Sequence, residues 1–187
     1  MNKKLKKPTF SNQLGERLDL IKVNMKGLDD MHEYSILPKF YRYFEYGPFT
    51  SKKETRKYLK RLIELTKSSK CHYWFIRLKD GKIIGTFGVG DINVNRLSAE
   101  ISYGISPFFW GHGYFQETLN LALNHMFFDL GFYRISSKIH SENTNSIKSL
   151  KKIGFKKEGI LRDFLSFKDR KRANVITFGI LKHEFTR

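Results

Sequence analysis

Cysteine and long apolar runs are scarce in this sequence. Cys71 is the only cysteine, which excludes a disulfide framework and a metal site built from Cys-X-X-Cys pairs. No apolar run approaches the ~18 residues of a membrane span, and the opening MNKKLKKPTF lacks the apolar core of a signal peptide. We therefore expect a cytoplasmic protein that folds without disulfides.

Acidic residues are also few in comparison with basic ones. The chain has 35 Lys and Arg against 18 Asp and Glu, a net charge of +17. Such a charge attracts anions, whether nucleic acid, a membrane surface or a phosphate-rich cofactor. Because the basic residues are spread along the chain, a compositional bias towards lysine explains the charge equally well. Charge alone therefore leaves the partner open.

The length of 187 residues and the 40% hydrophobic content are typical of one globular domain. Residues 1–12 are lysine-rich and begin without apolar periodicity, so we predict a basic flexible tail there. Residues 13–187 are predicted to form a single domain, because no repeat or linker interrupts them.

Apolar periodicity and turn residues predict alternating strands and helices. The predicted strands are 16–23, 73–79, 82–89, 97–105, 133–140, 155–167 and 173–182. The predicted helices lie within 26–37, 51–66, 113–130 and 143–153. The strands on either side of Asp80-Gly81 form a hairpin, whereas the strand–helix–strand unit over 97–140 should be parallel. The expected fold class is therefore α/β (α+β), with a mixed sheet.

Two stretches carry most of the chemical information. The first, SPFFWGHGYFQETL, opens the helix that follows Gly113, and the second, NTNSIKSLKKIGF, opens the helix that follows Asn143. A glycine turn at a helix N-terminus presents free N–H groups and the positive end of the helix dipole to a phosphate. His112 could add charge to such a site or simply face solvent, and Asn143 is also a plausible N-cap.

With their flanks, AEISYGISPFFWGHGYFQETL and ENTNSIKSLKKIGFKKEGILRD resemble motifs of the Gcn5-related N-acetyltransferase (GNAT) superfamily. They are most similar to its RimJ/RimL-type branch of ribosomal-protein N-acetyltransferases, and the resemblance covers residues 13–185. It implies a mixed, mostly antiparallel sheet of about seven strands flanked by helices. In that fold a splayed parallel pair forms the cofactor cleft. The implied activity is acetyl-CoA-dependent transfer of an acetyl group onto a primary amine.

The resemblance also assigns the residues that bind acetyl-CoA or coenzyme A. They are Ile105, Ser106, Trp110, Gly111, His112, Gly113, Tyr114, Phe115, Asn143 and Ser146. Phe115 departs from the family pattern, which has glycine or alanine there, and we expect its ring to point into the core. A backbone N–H near Ile105 or Ser106 is expected to polarise the thioester carbonyl.

Two residues are predicted to be catalytic. A neutral amine is needed for acyl transfer, so a base is expected, and Glu100 in the strand AEISYGI is the candidate. The alternative for Glu100 is an outward carboxylate paired with a lysine. By resemblance, Ser146 lies near the thioester sulfur and assists its departure, while Tyr103 and Tyr114 are alternative proton-relay groups. Cys71 lies far from both motifs, which favours direct transfer over an acetyl-cysteine step.

The acceptor is left open between a protein N-terminus, an amino sugar or sugar nucleotide, and a small amine. Ribosome association, and a monomeric or homodimeric state, are compatible with the sequence. The aromatic segment 40–49 and the basic loop 168–172 are expected to select the acceptor, because loops carry specificity on a rigid scaffold. Filling of the core by aromatic side chains is an equally good explanation of segment 40–49. A non-catalytic acyl-CoA or nucleic-acid binding module on the same fold is the alternative function.

Overall fold

The structure is a computed structural model that describes residues 8–68, 71–167, 169 and 171–186. Within these residues the strands are β1 (Gln13–Leu14), β2 (Leu18–Lys22), β3 (His72–Leu78), β4 (Ile83–Asn93), β5 (Ser98–Ile105), β6 (Arg134–His140), β7 (Lys156–Ser166) and β8 (Arg172–Leu181). The helices are α1 (Leu28–Ser35), α2 (Lys52–Lys67), α3 (Tyr114–Asn124) and α4 (Thr144–Ile153), and a π-helical turn at His125–Asp129 continues α3. No helix in the described ranges is long and apolar enough to cross a lipid bilayer.

All the described strands belong to one sheet, in the order β1-β2-β3-β4-β5-β6-β8-β7. Every neighbouring pair is antiparallel except β5 and β6, which run parallel. The predicted mixed, mostly antiparallel α/β fold is confirmed. The structure adds the strand β1, whose two residues are too short a pattern to recognise in the sequence.

The parallel pair is joined over only part of its length. Residues Ser98–Glu100 of β5 pair with Arg134–Ser136 of β6. Beyond this ladder β5 continues to Ile105 and β6 continues to His140. A ladder that stops while its strands continue leaves a gap between the strand ends. In sheets with helical crossovers, such a gap is where ligands enter.

Two apolar cores cover the two faces of the sheet. Successive side chains of a strand point to opposite faces, and in β3 Trp74 belongs to one core while Phe75 belongs to the other. Leu119 of α3 packs into the Trp74 core, and Leu59 of α2 packs into the Phe75 core. Helices therefore cover both faces and fix the strands that border the gap.

The flexible tail predicted for residues 1–12 includes residues that belong to the folded domain. Residues 1–7 lie outside the described residues, but Phe10 packs against the core that contains Trp74. The indole Nε1 of Trp74 donates a hydrogen bond of 2.9 Å to the carbonyl of Ser11. Residues from Phe10 onwards therefore belong to the folded domain, because they cover an apolar side chain that the tail prediction would have left exposed.

His72 is buried between aromatic rings, beneath the segment that begins at Phe10. Its ring stacks on Phe10 with the centroids 4.6 Å apart, and Trp74 meets it edge-on at 4.4 Å. Nε2 of His72 forms no hydrogen bond within the described part of the chain. Burial, together with the nearby charges of Lys22 and His125, lowers the pKa of His72 to about 3.

The free energy of unfolding should therefore fall as the pH drops from 6.5 towards about 3, because the unfolded chain binds a proton at His72 that the folded chain does not. Above pH 6.5 the side chain is neutral in both states, so its full contribution is present there. One such group gives a slope of about 1.4 kcal/mol per pH unit. Urea unfolding at several pH values measures this slope. Below pH 6.5 the free energy of unfolding should fall less steeply for His72→Phe than for the wild type, whereas the exposed control His183→Phe should keep the wild-type slope. Equal slopes in the two variants would contradict the role of His72.

Candidate active site

The gap between β5 and β6 opens into a cavity of about 660 Å³. The ends of these two strands, the N-terminal turns of α3 and α4, the segment 39–46 and parts of β7 and β8 form its walls. The predicted site residues that line it are Ile105, Trp110, Gly111, Gly113, Tyr114, Phe115, Asn143 and Ser146. The fold thus brings the two sequence motifs to one cavity.

The turn before α3 is shaped by two glycines. Gly111 and Gly113 have φ angles of 83° and 76°, in the left-handed region that other residues rarely adopt. A Cβ on Gly111 would meet nothing within 4 Å, so the backbone angle rather than crowding requires glycine there. Gly113 is the N-cap of α3, and the amides of Tyr114 and Phe115 consequently have no acceptor within the helix. An anionic group fits this turn.

Arg17 holds the glycine turn in place. Its guanidinium donates hydrogen bonds to Glu117 Oε2 at 2.8 Å and to the His112 carbonyl at 2.9 Å. The same guanidinium lies 4.9 Å from the centre of the Tyr114 ring. Sequence reasoning missed Arg17, because nothing in the local pattern distinguishes it from the many other basic residues.

Phe115 points inward, as expected from its place on the apolar face of α3. Its ring packs against the core, with its centroid 4.2 Å from that of Tyr103 on β5. A large side chain is therefore accommodated at the position where the family pattern has glycine or alanine.

Tyr103 brings a buried hydroxyl to the cavity. Its Oη makes no hydrogen bond of acceptable geometry within the described residues, although the hydroxyls of Ser146 and Ser137 lie beside it. Burial raises the pKa of Tyr103 far above its usual range, and the two serine hydroxyls offset this only in part. The phenol therefore stays protonated and presents an O–H donor without a partner.

The first turn of α4 faces the cavity from the other side. Asn143 Oδ1 accepts a hydrogen bond of 3.2 Å from the backbone N–H of Ser146, so its N-cap role is confirmed. Both residues line the cavity, and the Ser146 hydroxyl lies near Tyr103. The gap between the strands is thus bordered by hydroxyl groups from β5 and α4.

The amide of Ser106 is not available to a ligand, which corrects its predicted role. It donates a hydrogen bond of 2.7 Å to the Ile84 carbonyl, and Ser106 itself is buried. Because amides alternate in direction along an antiparallel strand, the N–H of Ile105 points towards the β6 side. Trp110 Nε1 donates to the Ile105 carbonyl at 2.7 Å and so fixes the indole at the strand end. Of the two predicted amides, Ile105 is the one directed into the gap.

The prediction that Glu100 is the base in this cavity is corrected as well, since Glu100 does not line it. It lies where β5 and β6 are still paired, before the two strands separate. Its Oε2 accepts a hydrogen bond of 2.7 Å from Lys138 Nζ. The alternative of a strand carboxylate paired with a lysine is what the structure contains.

His112 turns back onto its own loop instead of lining the cavity. Its Nδ1 lies 2.9 Å from the Trp110 carbonyl, and since a carbonyl can only accept, Nδ1 carries the proton. The exposed imidazole stacks on the Tyr114 ring at 5.8 Å. The predicted ligand role of its side chain is therefore corrected to that of a solvent-facing turn residue.

The opposite end of the cavity is aromatic. Phe40 packs directly on Gly104 of β5, where an added Cβ would lie 2.6 Å from the ring, and it stacks on Phe44 at 5.5 Å. The Tyr43 ring lies 5.1 Å from His140 at the end of β6. The predicted acceptor segment 40–49 thus reaches the cavity. In the second predicted acceptor loop, 168–172, residues 168 and 170 lie outside the described residues.

Cys71 is remote from this chemistry. It does not line the cavity, and burial together with the charge of Asp91 raises the pKa of its thiol. A raised pKa lowers the thiolate fraction and therefore the nucleophilicity of a cysteine. The expectation that Cys71 takes no part in the reaction agrees with its position.

Comparisons with known proteins give a consistent family signal. The profile of the acetyltransferase (GNAT) domain matches residues 17–156. An uncharacterized N-acetyltransferase p20 of Bacillus licheniformis is 32% identical over 171 residues, 91% of this chain and 96% of that protein. A crystal structure of a GCN5-related N-acetyltransferase from Brucella melitensis superposes with a TM-score of 0.85 at 24% identity, covering 96% of this chain and 82% of the other. A spermidine N-acetyltransferase from Vibrio cholerae, solved with CoA and spermine, has a TM-score of 0.78 at 21% identity over 91% of this chain and 98% of that one.

Proposed function

The chain belongs to the GNAT family of acetyltransferases and is an N-acetyltransferase, and from this premise we propose that it transfers an acetyl group from acetyl-CoA directly onto a primary amine. The observation that carries the proposal is the continuous cavity that reaches from the glycine turn, past the β5–β6 gap, to the aromatic segment 39–46. A cavity with amides at one end and aromatic and charged side chains at the other can hold an acyl donor beside an amine. That arrangement suits direct transfer in a ternary complex.

The residues of the cavity fit coenzyme A. The amides of the turn Gly111–Phe115 suit a pyrophosphate, and Asn143 lines the path from this turn to the gap. The partnerless Oη of Tyr103 is costly to bury unless a ligand accepts its hydrogen bond. When bound there, acetyl-CoA supplies the acetyl group as a thioester that an amine can attack.

Three groups of this chain are assigned to the reacting atoms. The Ile105 N–H donates to the carbonyl oxygen, where negative charge develops during the attack. The Ser146 hydroxyl donates to the departing sulfur. The Tyr103 phenol, kept protonated by its raised pKa, can replace the proton that Ser146 gives up, and the proton that the attacking nitrogen loses as the amide forms restores the phenol.

The proton of the amine is assigned to water rather than to a protein carboxylate. Among the described lining residues, Glu45 is the one carboxylate, and its Oε1 already accepts a hydrogen bond of 3.0 Å from the Ser166 N–H. The acceptor end of the cavity borders the exposed residues Lys39 and Arg42, so water can reach it. The amine can therefore lose its proton to solvent before it attacks.

Removal of the Arg17 clamp should weaken cofactor binding without abolishing the fold. Arg17→Ala removes the guanidinium that donates to Glu117 Oε2 and to the His112 carbonyl, so the glycine turn loosens. The backbone N–H groups of residues 17 and 18 still donate to Glu117 Oε1, which preserves the fold. We expect about tenfold weaker binding of coenzyme A by calorimetry, equivalent to ~1.4 kcal/mol. Arg162→Ala, an exposed arginine of β7, is the charge-matched control, and equal affinities in the two variants would contradict the clamp.

The WGHGY turn favours the RimJ/RimL-type branch, and the net charge of +17 is compatible with a ribosome-associated acceptor in the cytoplasm. A protein N-terminus, an amino sugar or sugar nucleotide, and a small amine are the acceptor classes considered.

Thiol release from acetyl-CoA with a panel of amines tests the proposal. Amine-dependent release, with initial-rate lines that intersect when both substrates are varied, is expected for a ternary complex. Parallel lines would contradict direct transfer. Thermal stabilisation by coenzyme A without turnover on any amine would favour the alternative of a non-catalytic acyl-CoA module. Salt-sensitive RNA binding with no effect of coenzyme A would favour the nucleic-acid module instead.

A further inference from the structure

The acceptor end of the cavity has an uneven distribution of charge. The charged side chains among the described residues that line the whole cavity are Lys39, Arg42, Glu45, Lys138 and Lys148. Of these, Lys39, Arg42 and Glu45 belong to the segment 39–46 at the acceptor end. The carboxylate of Glu45 is bonded to the backbone of β7, and Lys138 is paired with Glu100. Positive charge therefore exceeds negative charge where the amine substrate must enter.

Two of these cations have no carboxylate partner within the described part of the chain. Lys39 lies over the Trp110 ring at 5.3 Å, and the Arg42 guanidinium lies over the Tyr43 ring at 5.3 Å. Neither forms an ion pair there, in contrast to Lys138. Lys39 and Arg42 lie on either side of Phe40 in sequence, so the packing of Phe40 on Gly104 of β5 positions them at the cavity.

His140 adds a neutral donor to the same wall. Its Nδ1 accepts a hydrogen bond of 3.1 Å from the Glu142 N–H, so in the neutral ring the proton lies on Nε2. Burial lowers the pKa of His140, which favours the neutral form. With Nδ1 occupied, His140 cannot serve as a base through that atom, and Nε2–H can donate to an oxygen of a substrate.

Aromatic side chains line the cavity beside Lys39, Arg42 and His140. The Tyr43 ring contacts both the Arg42 guanidinium and the His140 ring, and Phe44 and Phe164 add aromatic side chains to the lining. Aromatic faces bind planar groups by stacking. The same faces also attract cations, but the unpaired positive charges beside them oppose a polycation.

We propose that the acceptor is a primary amine on a planar aromatic scaffold that carries a phosphate or carboxylate group, held by Arg42, Lys39 and the Nε2–H of His140. This inference rests on the proposed function, because it names the substrate class of the same site. An anionic group pairs with the free cations, while the aromatic scaffold lies against Tyr43 and its neighbours. Among the described lining residues a polyamine would meet one carboxylate, that of Glu45, whose Oε1 already accepts a hydrogen bond, against the unpaired cations Lys39 and Arg42.

Four amines of graded charge test the proposal: tyramine, tyramine O-phosphate, para-(aminoethyl)benzoate and spermidine. At least one of the two anionic amines should have kcat/KM about tenfold or more above tyramine, and spermidine should fall below tyramine by a similar factor. The phosphate and carboxylate arms show which anion the site prefers. Spermidine equal to or better than both anionic amines would overturn the inference while leaving N-acetyl transfer intact.

Two substitutions test whether Arg42 binds the anionic group of the amine. Arg42→Gln should raise KM for the preferred anionic amine about tenfold and leave tyramine nearly unchanged, because only the charged contact is lost. Lys60→Gln on the exposed face of α2 is the charge-matched control and should change neither value. Equal losses for tyramine and the anionic amine in Arg42→Gln would mean a structural role and would overturn the assignment.

Binding measured without turnover tests the acceptor site separately from the proposed acetyl transfer. With coenzyme A present, the anionic amines should raise the melting temperature of the protein and spermidine should not. If no amine is acetylated but this pattern holds, the acceptor site stands and the catalytic proposal fails. If amines are acetylated and spermidine stabilises as well as the anionic amines, the acceptor inference fails alone.

Discussion

Gly113→Val is expected to reduce the affinity for coenzyme A by at least about 100-fold, a change of about 2.7 kcal/mol. The φ of Gly113 is 76°, and a β-branched residue is strained there, so the turn must change its course. The amides that follow Gly113 would then no longer converge on one anion. Each hydrogen bond to a charged group contributes about 1.5–3 kcal/mol, so loss of more than one explains the expected effect. Isothermal titration with coenzyme A measures it.

Gly131→Val is the matched control for backbone strain. Gly131 has a φ of 75°, its added Cβ would meet nothing within 4 Å, and it does not line the cavity. The two variants should lose similar free energies of unfolding, but only Gly113→Val should lose affinity. Unchanged affinity in Gly113→Val would show that the pyrophosphate does not bind at this turn.

Ser146→Ala is expected to lower kcat about 100-fold while weakening coenzyme A binding less than about tenfold. The hydroxyl lies at the gap beside Tyr103, where the leaving sulfur is proposed to be. A donor that acts mainly on the developing thiolate contributes to the transition state more than to the bound ground state. Steady-state kinetics and a separate binding titration distinguish the two quantities.

Thr144→Ala is the control for this substitution. Thr144 is an exposed hydroxyl residue in the same first turn of α4 and does not line the cavity. Its kcat should stay within about twofold of the wild type, as expected for a surface substitution. A kcat for Ser146→Ala as high as that of Thr144→Ala would remove Ser146 from the catalytic assignment.

Features set by local chemistry could be predicted from the sequence. Gly113 needs a positive φ, the Asn143 side chain caps the next amides, and Gly154 ends α4 with a φ of 109°. Each follows from a residue and its immediate neighbours. The positions of α3 and α4, and hence both cofactor motifs, were therefore predictable without a structure.

Features set by strand register could not be predicted in this way. Arg17 and Glu117 are 100 residues apart in sequence, and Glu100 and Lys138 are 38 apart, so only the folded sheet brings them together. The amide of Ser106 was predicted to be free because its direction depends on which neighbouring strand it pairs with. The errors at Glu100 and Ser106 thus share one physical origin, the non-local pairing of β5, whereas His112 is turned away from the cavity by a contact within its own turn.

Hydrogen–deuterium exchange with and without coenzyme A tests most directly that the cofactor binds in the β5–β6 gap. Coenzyme A bound in this gap should slow exchange at the amides of residues 111–115, at Ile105 and in the first turn of α4, and should leave α2 unchanged. Protection confined to α2 or to other surfaces distant from the cavity, or no protection at saturating coenzyme A, would contradict it.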